Sequence, residues 1–574
     1  MEGYHRWTAN GLIGSDPLSF CAMPLRFQTP ILFALGLAFA AVFAAPVLAS
    51  MSSHAIGVAC GPAVQDLWNL WSSGGAPDSG GLAFPAAAAK PPLAAPSAWL
   101  VAQLLGTLGF DPITSWNLMF LLGYAGLIAG CISLGRRISP NSPFVARVAL
   151  LIAVVGCTAW SPMLRHAGSG TIPMMLVPLV LSSLHAWVQP NAPIRHGIAA
   201  SVLFAFACLG SWTATVLVLA MTPAFAVVIA QGIEGKQANR RAFAALLPGL
   251  VFGSAHIAFT HATVAPASVA AETLGPAWMT HAEGALLLPA TAAVALPSIG
   301  ILLLFLAGVA SRPQSTVGWL LTATWGILLA AADTSRVLPV VYIKESFPIL
   351  QPLNDWWLIA PLVSVPIGIT AMRGVEALHR AQRDRLALAV LAIALIDQTL
   401  PSLGVSGLQR VRIAPPDAMM DALRTLPSGA ILQLPASHED CAQTDKLRLW
   451  QPMIGRSMST ASWDQPDGGQ PFSYIARLGQ TLANSPPKRA SSEAALDPET
   501  FRCAVEDLFT LKDLGFSVVS VDRSSDVHPA LIEGLSMVLG APIFDERETV
   551  LWTINAPDNS GRGVPCSLPF TRSN

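Results

Sequence analysis

Charge is scarce in this sequence. Only 12% of its 574 residues are Asp, Glu, Lys or Arg, whereas an average soluble domain is about one-quarter charged. With 53% hydrophobic residues, this scarcity excludes a disordered protein and an ordinary cytosolic enzyme. A basic excess is also lacking, since 33 Lys and Arg oppose 34 Asp and Glu, which excludes a nucleic-acid partner. Eight cysteines are too few for a disulfide scaffold. A polytopic membrane protein remains.

The charges that are present are concentrated in the C-terminal part. Residues 1–400 contain 14 acids and 18 Lys or Arg, whereas the shorter stretch 401–574 contains 20 acids and 15 Lys or Arg. This division predicts a cytoplasmic tail over 1–29, a transmembrane part over 30–402, and an extracytoplasmic α/β domain over 403–574. The predicted fold class is therefore an all-α membrane bundle followed by a small soluble α/β domain.

Eleven apolar segments are long enough for transmembrane helices, which need about 17–25 apolar residues. They are 30–49, 115–135, 145–162, 171–188, 197–212, 213–232, 242–261, 285–310, 315–332, 356–375 and 386–402. The residues AAPVLAS at the end of the first segment resemble a signal-peptide cleavage site. The apolar run before them is long for a signal peptide, so a retained helix is favoured.

The stretch 197–232 is either one long helix or a hairpin broken at Gly210-Ser211-Trp212. The positive-inside rule distinguishes the two. With the hairpin and a cytoplasmic N-terminus, 14 Lys or Arg lie in cytoplasmic segments and only 4 in outer loops. A single helix would instead place the pair Arg240 and Arg241 outside. The rule thus predicts about eleven helices, with the C-terminal domain outside.

Three predicted outer loops are long, and large irregular loops on a helical bundle are where function concentrates. They are 50–114, 262–284 and 333–355. The first contains Asp66, Trp68, Asn69 and Trp71, and a short amphipathic or re-entrant helix is predicted after them at 96–110. On an interfacial helix the two indole rings would lie at headgroup level beside one carboxylate. That carboxylate either caps or solvates the helix, or serves as a general base or as a ligand of Mg²⁺ or Mn²⁺.

The layout resembles the C-type glycosyltransferase (GT-C) superfamily, in particular bacterial inner-membrane members with a short outer C-terminal domain. The matching features follow the order of the chain. They are Asp66, Trp68, Asn69 and Trp71, then Pro91–Pro96, Trp116-Asn117-Leu118, then His166, Pro178 and His185, and finally the strand-like stretch 423–435. The similarity covers nearly the whole chain, and its motifs are loose.

The resemblance implies an activity. In such enzymes the donor is usually a polyprenyl-phosphate sugar, and an outer-loop Asp or Glu acts as general base or binds a metal. The transfer inverts the anomeric centre. Asp66 is the catalytic residue that this implies. The implied partners are membrane lipids, the lipid-linked donor and a glycan, lipid or protein acceptor, and the implied location is the bacterial inner membrane.

A lipid-phosphate donor also needs cations at the outer headgroup level. The outer loops contain only 4 cations, so the candidates are few, and local ion pairing is the alternative for them. The full set of predicted substrate-binding residues is Trp68, Asn69, Trp71, Asp111, Arg165, His166, Arg336, Lys344 and Asp355.

Two features depart from the family pattern. Many relatives carry a second acid near the first, whereas Asp78 and Asp111 are not adjacent to Asp66 here. Asn354 and Asp355 stand where relatives often have an arginine. These departures favour the alternative of a non-catalytic relative that acts as a scaffold or as a lipid- or glycan-binding subunit. A transporter is less favoured, because the spans contain almost no ionisable residue and no repeat is visible.

The C-terminal region alternates helix-like and strand-like patterns. It predicts helices at 415–426, 497–515 and 528–540, strands at 429–435 and 516–522, and a hairpin at 541–554, with a loop over 455–495. Cys60, Cys441, Cys503 and Cys566 would lie in the outer compartment, where disulfides form. Four cysteines allow three complete connectivities, of which Cys441–Cys503 is preferred.

Overall fold

The computed structural model describes most of the helical part and portions of the C-terminal region. The described residues are 25–48, 51, 54–56, 96–157, 160, 168–231, 233, 236–263, 298–331, 356–404, 410–412, 417–426, 428–434, 454, 456–458, 488–490, 493–495, 498–522, 529–546 and 549–554.

Apolar helices dominate residues 25–404. The α-helices of the described part are α1 (Leu25–Leu48), α2 (Pro96–Thr107), α3 (Pro112–Ile138), α4 (Phe144–Val155), α5 (Val177–Val188), α6 (Ile194–Ala207), α7 (Trp212–Gln231), α8 (Lys236–Thr263), α9 (Ile299–Ser311), α10 (Pro313–Ala331), α11 (Trp356–Arg380) and α12 (Asp384–Gly404). A 3₁₀ helix (Gly168–Leu176) precedes α5. Each of the eleven predicted segments overlaps one of these helices, and α2 overlaps the predicted segment 96–110.

Four helical stretches in the described part are long and apolar enough to cross a membrane, judged by length and composition. They are 112–138, 214–231, 237–258 and 359–380. Shorter apolar helices accompany them. These helices support a membrane location, and the number of spans remains a prediction.

The predicted break within 197–232 is present. Helix α6 ends at Ala207 and α7 begins at Trp212. In the turn, the Thr215 hydroxyl donates to the Cys208 carbonyl over 3.0 Å, and the Ser211 hydroxyl accepts from the Ala214 amide over 3.4 Å. The side chains at the break therefore bond to backbone groups that a continuous helix would use internally.

One end of the bundle carries the described arginines of the helices, and we call it the arginine end. Side-chain hydrogen bonds join neighbouring helix ends there. The pairs are Arg136 with Thr29, Arg147 with Gln28, Arg241 with the Gln189 carbonyl, and Arg373 with the Ser315 carbonyl. These four arginines, which the positive-inside rule assigns to one side of the membrane, thus each join neighbouring helix ends.

The opposite end carries the connections to the C-terminal region, and we call it the sheet end. Strand β1 (His54–Ile56) follows α1 and pairs antiparallel with β2 (Arg410–Arg412), which follows α12. The Asn117 amide donates to the Met51 carbonyl over 2.9 Å. The segments after the first and the last helix therefore meet beside the start of α3.

The C-terminal region contains a four-stranded sheet in the order β3-β6-β8-β7. Its strands are β3 (Ala430–Leu434), β6 (Phe516–Asp522), β7 (Phe544–Asp545) and β8 (Thr549–Thr553), with helices α13 (Asp417–Thr425), α14 (Pro498–Asp513) and α15 (Pro529–Leu539). Strands β3 and β6 are parallel, and the other pairs are antiparallel. These elements coincide with the predicted ones. That the region forms a separate, soluble, outer domain remains a prediction.

A short hairpin of β4 (Lys488–Ala490) and β5 (Glu493–Ala495) lies where the sequence predicts a loop. Both strands are only three residues long. A pairing this short leaves little periodic signal in a Ser-, Gly- and Pro-rich stretch.

The sheet is part of a core that also includes bundle residues. Buried apolar side chains of β3, β6 and β8 form one hydrophobic cluster with those of α2 and the start of α3, such as Ala102 and Trp116. The other face of the sheet packs Ile431 and Val518 with Met419 of α13. The C-terminal region is therefore joined to the sheet end by an apolar core and by the β1–β2 pairing.

Candidate functional site

The predicted catalytic loop is anchored at both of its ends. Asp66, Trp68, Asn69 and Trp71 lie outside the described residues, between β1 and α2. Before them, β1 is fixed by its pairing with β2. After them, α2 is fixed at Ser97, whose amide and hydroxyl both donate to the Leu209 carbonyl, over 3.0 and 2.7 Å. The described residues on both sides of this loop therefore lie at the sheet end.

Helix α2 has two different apolar faces. Ala98, Ala102 and Leu105 are buried in the core shared with the sheet. Leu100, Leu104 and Leu108 recur every fourth residue and are 53%, 62% and 68% exposed. A four-residue spacing places these leucines along one side of the helix. An apolar side left open beside an apolar bundle is suited to contact with lipid chains.

Asp111 caps helix α3. Its carboxylate accepts from the amides of Ile113 and Thr114, each over 3.0 Å, and from the Thr114 hydroxyl. An N-cap carboxylate satisfies amide groups that have no partner within the helix. The structure therefore assigns Asp111 a role in helix capping, and its role in substrate binding remains a prediction.

The other predicted site residues also lie outside the described residues. Arg165 and His166 fall between Trp160 and the 3₁₀ helix, and Arg336, Lys344 and Asp355 fall between α10 and α11. The neighbouring helices nevertheless define where these segments begin and end. Helix α10 starts, and α11 finishes, at the arginine end, because Arg373 contacts the Ser315 carbonyl there. The segment between them therefore begins and ends at the sheet end, like the loop that contains Asp66.

The sequence analysis did not identify the polar groups that accept hydrogen bonds at the sheet end. The Leu209 carbonyl holds α2, and the Gly210 carbonyl lies 2.9 Å from Nε2 of His256. The Asp397 carboxylate accepts from the Ile299 amide over 2.8 Å and so joins α12 to α9. Carbonyl acceptors have no signature in the sequence, although Ser97 directly after Pro96 is typical of a helix start.

Cys503 is buried and disulfide-bonded. Its partner lies outside the described residues, where Cys441 also falls, so the pairing Cys441–Cys503 stays a prediction. Cys131, Cys157 and Cys208 are buried and free. Among the described residues no group of three or more His, Cys, Asp or Glu side chains could hold a metal ion. Asp66, which the sequence offers as a ligand of Mg²⁺ or Mn²⁺, falls outside them.

The comparison with solved structures identifies the fold. The arabinofuranosyltransferase AftD from Mycobacteria matches 94% of this chain at 15% identity, with a TM-score of 0.52. This chain has a GT-C-type fold. It spans 40% of the length of AftD.

Two further solved structures are similar at lower scores. ArnT from Cupriavidus metallidurans in the apo state matches 93% of this chain and 99% of its own, at 13% identity and a TM-score of 0.48. The apo oligosaccharyltransferase of Archaeoglobus fulgidus matches 87% of this chain and 70% of its own, at 10% identity and a TM-score of 0.47. No protein-family model and no curated protein sequence matches the chain.

Proposed function

We propose that this protein is a membrane glycosyltransferase that transfers a sugar from a polyprenyl-phosphate-linked donor to an envelope acceptor at the outer membrane face. The GT-C-type fold supports the proposal. The observation that carries it is the shared position of the loop ends. The segments that contain Asp66 and Arg336 both begin and end at the sheet end, where α2, α3 and the C-terminal sheet share a core.

In this proposal Asp66 removes the proton of the acceptor hydroxyl as a general base. Alternatively, its carboxylate would hold a metal ion that would lower the pKa of that hydroxyl. Arg165, Arg336 and Lys344 supply positive charge for the donor phosphate, as charge-assisted hydrogen bonds to phosphate require. The exposed leucines of α2 provide an apolar surface for the polyprenyl chain beside that headgroup. The C-terminal domain lies over the same end and contributes to acceptor binding.

The substitution Asp66→Asn tests the proposed chemistry. Loss of a general base lowers the rate by about 10²–10⁴-fold, so transfer from a panel of polyprenyl-phosphate sugars to envelope extract should fall by at least about a hundredfold. Mass spectrometry of the acceptor measures the transfer. Asp421→Asn is the matched control, because Asp421 is exposed and pairs with Arg424, 2.9 Å away.

The same assay separates the proposal from its alternative. A non-catalytic scaffold or a lipid- or glycan-binding subunit is the alternative, and the observation that favours it is the use of Asp111 as a helix cap. Full transfer by Asp66→Asn would contradict the role of Asp66. Absence of transfer by the wild-type protein with every donor, together with stable copurifying partners, would favour the scaffold.

The proposed orientation places the arginine end inside the cell and the sheet end outside. We expect Glu546→Cys, at an exposed position beside β8, to react with a membrane-impermeant maleimide in intact spheroplasts. Gln314→Cys, at an exposed position at the start of α10, should react only after permeabilisation. Gel-shift detection of the labelled protein measures both. Labelling of Gln314→Cys alone in intact spheroplasts would reverse the orientation.

A further inference from the structure

The 3₁₀ helix (Gly168–Leu176) has nine residues, whereas runs longer than about four 3₁₀ residues are uncommon. Pro173 lies inside it, and in an α-helix its ring would clash with the Ser169 carbonyl. A 3₁₀ helix rises about 2.0 Å per residue and an α-helix about 1.5 Å, so the segment spans about 18 Å rather than about 13.5 Å. The 3₁₀ form therefore places the first residue of the segment about 4–5 Å further along the bundle.

The 3₁₀ helix packs directly against α3. A Cβ added at Gly123 would lie 2.7 Å from Cγ2 of Ile172. A Cβ added at Gly126 would lie 2.5 Å from Cδ2 of Leu176, and the contact continues into α5 at Gly130. Isoleucine is stiff at χ1, so Ile172 could not rotate away from a side chain at position 123 without strain. The contacts advance together along both segments, which shows that the 3₁₀ helix and α3 run in the same direction.

The 3₁₀ helix therefore begins at the sheet end. Helix α3 starts at that end, where the Asn117 amide bonds to the Met51 carbonyl. Ile172 packs against the core that α2 and α3 share with the C-terminal sheet. Gly168 precedes Ile172 by four residues. At the rise of a 3₁₀ helix, Gly168 lies about 8 Å further toward the sheet end.

This placement limits where two predicted site residues can lie. Arg165 and His166 are outside the described residues and precede Gly168 by three and two residues. An extended chain spans at most about 3.6 Å per residue, so the Cα of Arg165 is within about 11 Å of that of Gly168. Before them, Trp160 is 1% exposed, and its indole donates to the Val154 carbonyl over 2.9 Å. The described residues on both sides of Arg165 are thus fixed to the bundle.

We propose that Gly123 is a positioning residue that acts through Arg165. Because Gly123 has no side chain, Ile172 packs against the backbone of α3, and the 3₁₀ helix keeps Arg165 within reach of the donor phosphate. A side chain at position 123 would push the 3₁₀ helix away from α3 and move Arg165 with it. The inference rests on the proposed function, which supplies the phosphate. Gly123 itself does not touch the donor.

Binding of undecaprenyl phosphate to the detergent-solubilised full chain tests this role. Arg165→Gln removes a charge-assisted hydrogen bond and should weaken binding about tenfold. Gly123→Ala should weaken binding by a similar factor. In the Arg165→Gln background, Gly123→Ala should have little further effect, because both changes remove the same contact. Additive weakening would show that Gly123 only packs the bundle, and would overturn the inference.

A compensating change and a control complete the binding experiment. Adding Ile172→Ala to Gly123→Ala removes the overlapping methyl group and should restore most of the binding. Gly135→Ala is the matched control in the same helix, because a Cβ there lies 3.1 Å from Leu150 of α4 rather than against the 3₁₀ helix. The control should leave binding unchanged. Failure of Ile172→Ala to restore binding would contradict the described contact.

Hydrogen exchange gives a readout that does not depend on the lipid. The peptide that contains Ile172 should exchange faster in Gly123→Ala than in the wild type, and Ile172→Ala should reverse the change. Unchanged exchange in Gly123→Ala would overturn the inference. Thermal unfolding shows whether each variant is folded. Gly126→Ala meets only the end of the Leu176 side chain, so this milder change keeps the test valid if Gly123→Ala does not fold.

The outcomes separate this inference from the proposed function. Weaker binding by Arg165→Gln with normal binding by Gly123→Ala would overturn the positioning role and leave the proposed donor standing. Absence of undecaprenyl phosphate binding by the wild type would overturn the proposed donor and, with it, the role of Arg165. The exchange measurement would still show whether Gly123 holds the 3₁₀ helix.

Discussion

Replacing Gly374 by valine is expected to destabilise the bundle by about 3 kcal/mol or more, at the upper end of overpacking effects. Gly374 of α11 and Gly308 of α9 face each other, and the two backbones are in direct contact. A Cβ at Gly374 would overlap the Leu304 carbonyl, and a Cβ at Gly308 would overlap the Thr370 carbonyl. Backbone atoms cannot rotate away as a side chain can, so the two helices would have to separate.

Close contact of this kind is how helices associate in a membrane. Lipid chains are as apolar as leucine, so helix pairs gain from van der Waals packing of close backbones rather than from removal of water. Separation of α9 and α11 loses that packing along the whole contact. Helix α9 would also be pushed relative to α12, where Gly300 contacts the backbone of Val390 and Ala394.

The measurement is the unfolding temperature of the detergent-solubilised protein, followed by size-exclusion chromatography after heating. Gly106→Val is the matched control. Gly106 lies in helix α2, and a Cβ there meets nothing within 4 Å. The control should unfold at the wild-type temperature. An unchanged unfolding temperature for Gly374→Val would show that the α9–α11 contact is looser than described.

Loss of the buried guanidinium of Arg147 is the second large effect. Arg147 is only 3% exposed. Its guanidinium donates to Gln28 Oε1 over 2.6 Å, to the Pro140 carbonyl over 2.9 Å and to the Ser142 hydroxyl over 3.3 Å. These bonds join α1, α4 and the α3–α4 turn. Hydrogen bonds to charged groups contribute about 1.5–3 kcal/mol each, so Arg147→Met should cost about 3 kcal/mol.

A double-mutant cycle isolates the contact with Gln28. Gln28→Leu alone leaves a buried guanidinium without one acceptor and should cost about 2 kcal/mol. The variant Gln28→Leu/Arg147→Met should be less destabilised than the sum of the single variants, by about 1–2 kcal/mol, because both partners are removed together. Arg385→Met, at an exposed position of the same end, should be neutral. Strict additivity would contradict the described contact.

The apolar segments and the charge asymmetry were sufficient to predict the helices. A helix in an apolar solvent must satisfy its own backbone groups, so length and hydropathy determine where it lies. The break at Gly210-Ser211 was predicted correctly because it alone puts Arg240 and Arg241 with the other arginines. In the C-terminal region, short strand-like stretches such as FSVVSVD predicted the strands. The β4–β5 hairpin was missed, since six paired residues have no clear period.

The position of the candidate site depended on contacts between distant residues. Local sequence shows that Asp66 lies near two tryptophans, but not that its loop is held by β1 pairing with β2, which follows it by more than 350 residues. Nor does it show that Ser97 bonds to the Leu209 carbonyl. The sequence allows Asp111 to be a site acid or a helix cap, and only the structure shows that its carboxylate caps α3 through the amides of Ile113 and Thr114.

By itself, the sequence determined the class of this protein: an apolar helical bundle with its arginines at one end and a charged α/β region after it. Hydropathy and charge patterns are properties of local sequence, and they indicate the position of a segment relative to the membrane. They can therefore be recognised without knowledge of the fold. Only the tertiary structure decided which helix ends meet and that the sheet shares a core with α2 and α3. Those relations arise from packing between segments far apart in the chain, which no local pattern records.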